Sequence, residues 1–84
     1  MKHFTNPAFW KLFNSLPPET QKQARENYEL LKADPKHPSL HFKQINKYWS
    51  VRVNRNVRAL AVKSEGDLIW FWIGGHDEYD RIIG

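Results

Sequence analysis

The sequence predicts an α+β fold: a two-helix hairpin packed on an antiparallel sheet of about four strands, with a short helical turn at the C-terminal end. Three observations predict it. The first third of the chain carries apolar residues at helical spacing, broken by prolines. From residue 48 onward come three runs rich in Val, Ile, Trp and Phe, separated by turn residues. Helices followed by consecutive strands, rather than alternating with them, put the helices on one face of an antiparallel sheet.

Each element has a local cause. "KHFT" reads as a short strand. "NPAFWKLFNSL" reads as a helix, with Pro7 suited to its first position and Thr5 or Asn6 able to cap it. Phe9, Leu12, Phe13 and Leu16 then fall on one apolar face. "PPETQKQARENYELLKAD" is a second helix, started by prolines, ended by Pro35, with Ala24, Tyr28 and Leu31 as its inner stripe. The short joint at Leu16-Pro17 makes the pair a hairpin. "PKHPSLHFKQI" is a loop leading into a strand. Residues 48–53, 57–63 and 67–73 are the three main strands, with "SEGD" turning between the last two. Gly74-Gly75 breaks the last strand before the tail "HDEYDRII".

The 84 residues form a single domain, residues 1–84. A domain of this size buries only about 60% of its unfolded surface, so four Trp, three Tyr and five Phe carry much of the core. There is no Cys, which excludes disulfides and thiolate zinc sites. Lys2 and His3 lead into a polar, proline-containing segment rather than a secretory leader. No apolar run approaches the roughly 20 residues of a membrane span. The expectation is a cytoplasmic protein with no membrane partner and no cofactor.

Charge is unevenly spread. The chain carries +4 overall, but residues 35–64 hold Lys36, Lys43, Lys47, Arg52, Arg55, Arg58 and Lys63 with no Asp or Glu. An acid-free block of this kind attracts anions. Within it, "WSVRVNRNVRAL" reads as a hairpin. Trp49, Val51 and Val53 share one face of its first strand, and Val57, Ala59 and Ala61 one face of its second. Matching those faces makes Asn54-Arg55-Asn56 the loop and sets Arg52 directly opposite Arg58. Directly opposed like charges destabilise a sheet. Two readings stay open: an anion such as phosphate sits between the arginines, or Asp77, Glu78 or Asp80 neutralises one of them.

The tail places His76 and Asp77 just past a strand end, where site residues concentrate. Histidine titrates near neutrality and so suits proton transfer; Tyr79 follows three residues on, near the same helical face. His37 and His41 have i, i+4 spacing, but Pro38 between them makes a helical metal site improbable, and no metal site is expected. No Ser/His/Asp motif, phosphate-binding Gly-rich loop or dinucleotide fingerprint is present.

The order of elements, with "YWSVRVNRNVRAL" and "WIGGHDEYDRII", closely resembles the RelE/ParE superfamily of bacterial toxins from type II toxin–antitoxin systems, over nearly the whole chain. The second stretch is similar to the H-x-x-Y-D signature of its histidine-containing branch. The resemblance implies a small microbial RNase-like fold with a curved sheet and the site on its concave face. It implies a ribosome-dependent mRNA endonuclease using 2′-hydroxyl transphosphorylation, with mRNA, ribosomal RNA and a cognate antitoxin as partners. The alternatives within the superfamily are a DNA gyrase inhibitor and an inactive binding module of the same fold. Arg58 matches the arginine that grips the scissile phosphate in RelE-like endonucleases, Arg52 a basic residue one strand earlier, and His76 the strand-end catalytic position. His41 sits where some members carry another histidine. Tyr79, Asp80 or His41 would complete the acid–base pair, while Lys43, Lys47, Arg55 and Lys63 would hold RNA by charge. Two departures stand out: Ser50 replaces a residue that is basic in founding members, and the catalytic aromatic expected at or after Asp80 is absent.

Overall fold

A computed structural model describes residues 2–84. After the strand β1 (His3–Thr5), Asn6 caps α1 (Pro7–Asn14), its Oδ1 accepting from the Phe9 backbone N–H at 3.0 Å. The turn to α2 (Pro18–Ala33) is closed by Gln21, whose Nε2 donates to the Leu16 carbonyl at 2.9 Å. A single 3₁₀ turn at Pro38–Leu40 precedes β2 (Lys43–Ile45), β3 (Tyr48–Arg52), β4 (Val57–Ser64), β5 (Asp67–Gly75) and α3 (His76–Ile83).

The sheet has five strands in the order β1-β5-β4-β3-β2. β2 to β5 form an antiparallel meander, as the turn signals predict. The "KHFT" strand adds a fifth, parallel member, His3 pairing with Leu68 and Thr5 with Trp70, so the sheet is mixed rather than purely antiparallel. The physical reason is the outer edge of β5, whose backbone groups β1 satisfies. Gly74-Gly75 does not end β5: Arg58 pairs with Gly74 and Val57 with Gly75. Gly74 is needed because a Cβ there would lie 2.7 Å from the Trp72 ring. A β-bulge leaves Phe71 without a partner between the Ala61–Trp70 and Leu60–Trp72 pairs.

Both faces of the sheet are covered. The main core lies under α1 and α2, where Phe13 and Leu31 meet Val51, Ala59, Ala61 and Trp70. On the opposite face Leu60, Trp72 and Tyr79 form a smaller core, closed by Ile82 and Ile83. The C-terminal segment is therefore two helical turns rather than one, because its apolar side has a surface to bury. Tyr28 is more exposed than its place in the α2 stripe predicts, with the Lys32 ammonium 4.5 Å from its ring centre.

β1 is held by unlike contacts. The Leu68 N–H donates to the Lys2 carbonyl, the Lys2 N–H to Asp67, and the Trp70 indole N–H to His3 Nδ1 at 3.1 Å. The His3 ring stacks on Trp70 and meets Tyr28 edge-on. Accepting from the indole requires an unprotonated Nδ1, and burial holds this imidazole below its ordinary value of 6.5, with positive charge, including that of Lys32, acting the same way. The unfolded chain therefore binds the proton more readily. The contribution of His3 is complete above pH 6.5 and lost as pH falls through the depressed folded value. Urea unfolding across pH 5 to 8 should show stability rising with pH in the wild type. His3→Gln, which can still accept from Trp70 but does not titrate, should flatten that rise.

Candidate functional site

The end of the β3–β4 hairpin brings the predicted arginines together. Arg52 pairs directly with Arg58, and Arg58 with Gly74, so these residues form one row on the α3 face of the sheet. Glycine at the end of the row makes room for the Trp72 ring, which lies over Gly74 beside Arg58. Among the described residues neither guanidinium has a carboxylate partner. Arg58 Nη1 instead donates to the Asn54 carbonyl at 2.7 Å and the Val57 carbonyl at 3.2 Å, so local backbone dipoles offset part of its charge.

The loop holding this row is gripped from three directions. Asn54 Oδ1 accepts from the backbone N–H groups of Asn56 and Val57 at 2.8 and 2.9 Å, an Asx turn that closes the hairpin. From α2, Asn27 Nδ2 donates to the Val53 carbonyl at 2.7 Å, and Gln23 Oε1 accepts from Asn54 Nδ2 at 2.8 Å. From α3, the His76 backbone N–H donates to the Asn56 carbonyl at 2.9 Å. Sequence reasoning missed Asn27, Gln23 and Asn56 as supports. The Asn-x-Asn loop held a readable signal for the Asx turn; the two α2 contacts held none, since they join residues more than 24 positions apart.

That last bond carries the first residue of α3 to the hairpin end. The cleft between them is lined by Asn56, Gly75, His76, Asp77, Glu78 and Arg81. His76 Nδ1 lies 3.0 Å from Asp80 Oδ2, one helical turn on, and both side chains are about half exposed. Asp80 thus pairs with His76 and not with an arginine. Tyr79 is buried, and its hydroxyl lies 2.9 Å from the hydroxyl of Ser50, a buried serine at the centre of β3. Ser50, where the resemblance expects a base, serves here as the seat of α3.

The remaining candidates separate by position. Continuing the β2–β3 register two residues past the Lys43–Ser50 pair brings His41 level with Arg52; it is exposed and left-handed, with φ 47°. Lys43 shares the neighbouring row with Ser50, and Arg55 is exposed at the hairpin tip. Lys47 lies at the β2–β3 turn, 5.4 Å from the Tyr48 ring centre, toward the other end of the sheet. Lys63 stands about 17 Å along β4 from Arg58, and its alternation with Ala59 and Ala61 puts it on the α1–α2 face. His37 is occupied in capping the 3₁₀ turn, its Nδ1 accepting from the Ser39 N–H. Among the described residues no group of three or more His, Asp or Glu side chains is placed to hold a metal. A second concavity, about 360 Å³ and mostly apolar, opens on the far face between the helices and the sheet, lined by Phe9, Trp10, Tyr28 and Trp70 among others.

Comparisons with known proteins agree with this architecture. The sequence model of the ParE-like toxin domain matches residues 18–81. A chain in the RelB–RelE antitoxin–toxin complex from Methanococcus jannaschii superposes with a TM-score of 0.73 at 14% identity, over 96% of this chain and 99% of that one. YafQ from E. coli gives 0.69 at 13% identity, over 93% and 96%. The YoeB/ParE toxin from Agrobacterium tumefaciens gives 0.66 at 15%, over 90% and 99%. At these identities the likeness to the solved structures is one of fold. No curated protein matches the chain at the sequence level.

The Ser50–Tyr79 bond makes a specific prediction. Tyr79→Phe leaves the Ser50 hydroxyl buried without its partner, a loss of about 1–3 kcal/mol in urea unfolding. Combining it with Ser50→Ala removes both polar groups and should recover part of that loss, giving a double mutant more stable than the sum of the single changes.

Proposed function

The chain belongs to the ParE-like toxin domain family; from that premise we propose that it is a toxin of the RelE/YoeB type that cleaves mRNA on the ribosome and is held inactive by a cognate antitoxin. The observation that carries this reading is the Arg52–Arg58 row, without a carboxylate partner among the described residues, with His76 tied to the same hairpin end. Two arginines paired across the ladder suit a phosphodiester, whose charge offsets their repulsion and whose oxygens match planar guanidinium donors. The RelB–RelE neighbour is an antitoxin–toxin complex, which supports a protein partner of the same kind here.

The chemistry is transphosphorylation. The 2′-hydroxyl gives up its proton to a base and its oxygen attacks the adjacent phosphorus. The bond from phosphorus to the 5′-oxygen breaks, and that oxygen takes a proton from an acid or from water. The products are a 2′,3′-cyclic phosphate and a free 5′-hydroxyl. Arg58 and Arg52 stabilise the added negative charge at phosphorus. His76 exchanges the proton, a role worth typically 10²–10⁴-fold. Lys43 and Arg55 flank the row and draw in the RNA backbone by charge. His41, level with Arg52, is placed to meet the same strand of RNA.

The buried Tyr79 hydroxyl is engaged with Ser50, so its contribution in this scheme is to seat α3 rather than to move a proton. Lys47 and Lys63 belong to more distant surfaces, where they would meet ribosomal RNA rather than the scissile bond. The family is named for ParE, so gyrase inhibition is the second reading, and it uses the same basic face without RNA chemistry.

Primer extension on an mRNA under translation in a purified system tests the proposal. The wild type should cut only when ribosomes are present. Arg52→Ala, which removes no hydrogen bond that holds the hairpin, and His76→Ala should each lower cutting by about 10²-fold or more while remaining folded. An uncut message, with DNA breakage or lost supercoiling in its place, would move the assignment to gyrase.

A further inference from the structure

His76 has two ring nitrogens, and only one can serve the substrate. We propose that Asp80 is a positioning residue that fixes His76 in the tautomer carrying its proton on Nδ1, which makes Nε2 the nitrogen that exchanges a proton with the RNA. The catalytic part of this inference rests on the endonuclease reading above; the tautomer does not.

The geometry points this way from both ends of the pair. Nδ1 of His76 and Oδ2 of Asp80 are 3.0 Å apart. An ionised carboxylate has only acceptors, so the contact is a hydrogen bond only when Nδ1 holds the proton. An unconstrained histidine side chain prefers its proton on Nε2, so Asp80 works against the intrinsic preference. Neither partner is free to drift. The backbone of His76 is fixed to the Asn56 carbonyl at 2.9 Å, and Asp80 follows Tyr79, whose hydroxyl is seated on Ser50 at 2.9 Å. The ring itself sits 5.8 Å from the Tyr79 ring, centre to centre. The other acids of the first helical turn, Asp77 and Glu78, are exposed and make no ion pair with the ring. With Nδ1 engaged and the side chain half exposed, Nε2 is the nitrogen left to the cleft.

A purely structural account of the pair is too weak to compete. An exposed i, i+4 ion pair adds little to the stability of a helix. Removing it leaves the fold essentially unchanged, so a large loss of rate in an Asp80 variant cannot be a loss of folded protein. Orientation by a carboxylate, in contrast, acts on the fraction of rings with a bare Nε2 and on the imidazolium formed as Nε2 takes the 2′-hydroxyl proton.

Nitrogen-15 NMR of the His76 ring, at a pH where it is neutral, reads the tautomer directly. The wild type should show the Nδ1–H form. Asp80→Asn, whose amide can donate to Nδ1 as well as accept from it, should shift the ring toward Nε2–H, and Asp80→Glu should restore part of the Nδ1–H form. Single-turnover cleavage should fall about 10- to 100-fold in Asp80→Asn with KM little changed, and recover partly in Asp80→Glu. A wild-type ring in the Nε2–H form, or a tautomer indifferent to Asp80→Asn, overturns the proposal. The expected tautomers with undiminished cleavage in Asp80→Asn overturn the positioning role. If the wild type cleaves nothing, the endonuclease reading fails while the NMR still decides what Asp80 does to His76.

Discussion

Two guanidinium groups directly opposed across an antiparallel ladder repel, and a hairpin free to slip by one residue would separate them. This hairpin is not free. A slip would carry Val51 and Val53, or else Ala59 and Ala61, from the core under α1 and α2 to the opposite face. Burying a valine is worth about 1.5–3 kcal/mol, whereas an unfavourable cross-strand pair costs roughly 0.2–1 kcal/mol. Packing therefore wins by several-fold, and the Arg52–Arg58 opposition follows as an obligatory by-product of the core. The fold holds two charges together that would otherwise part, and leaves their field unquenched by any carboxylate among the described residues.

The same hairpin end is where the three layers of the molecule meet. α2 reaches it through Gln23 and Asn27, the loop closes on itself through Asn54, and α3 starts from it through the His76 N–H. None of these bonds is strong alone, each contributing about 0.5–1.5 kcal/mol. Together they fix a surface loop that would ordinarily be mobile. Gly74 completes the arrangement from the far side of Arg58. The Trp72 ring leaves no room for a Cβ there, so the strand that flanks the arginines covers Gly74 with an indole and places no charge beside Arg58.

What was legible in the sequence was whatever repeats with a short period. The α1 stripe, the meander and the Arg52–Arg58 register follow from spacings of two, three or four residues, and the structure has them. The parallel pairing of β1 was not legible, because His3 and Leu68 are 65 residues apart and no local pattern names a partner at that distance. The continuation of β5 through Gly74-Gly75 was hidden for a different reason. Glycine usually signals a break, and here it answers a clash with Trp72 that exists only once the strand is folded. Of the candidate site, the opposition of Arg52 and Arg58 was readable, and the place of Gly74 beside them was not. Asp80 was one of three candidates to pair with His76, and nothing local showed that Tyr79 between them turns inward to Ser50.

The parallel strand has a consequence for how the chain reaches this state. β2 to β5 are joined by tight turns, including a two-residue turn at Glu65-Gly66 with φ of 52° and 87°, and such neighbours zip early because little loop entropy is spent in closing them. β1 can join only after β5 exists to receive it. The first strand in the sequence is therefore expected to join the sheet last. From their edge position, the amides of residues 3–5 should exchange through a lower-energy opening than those of β4, the strand at the centre of the sheet. Chain order and folding order run in opposite senses at this edge, so the sheet is completed by the segment that was made first.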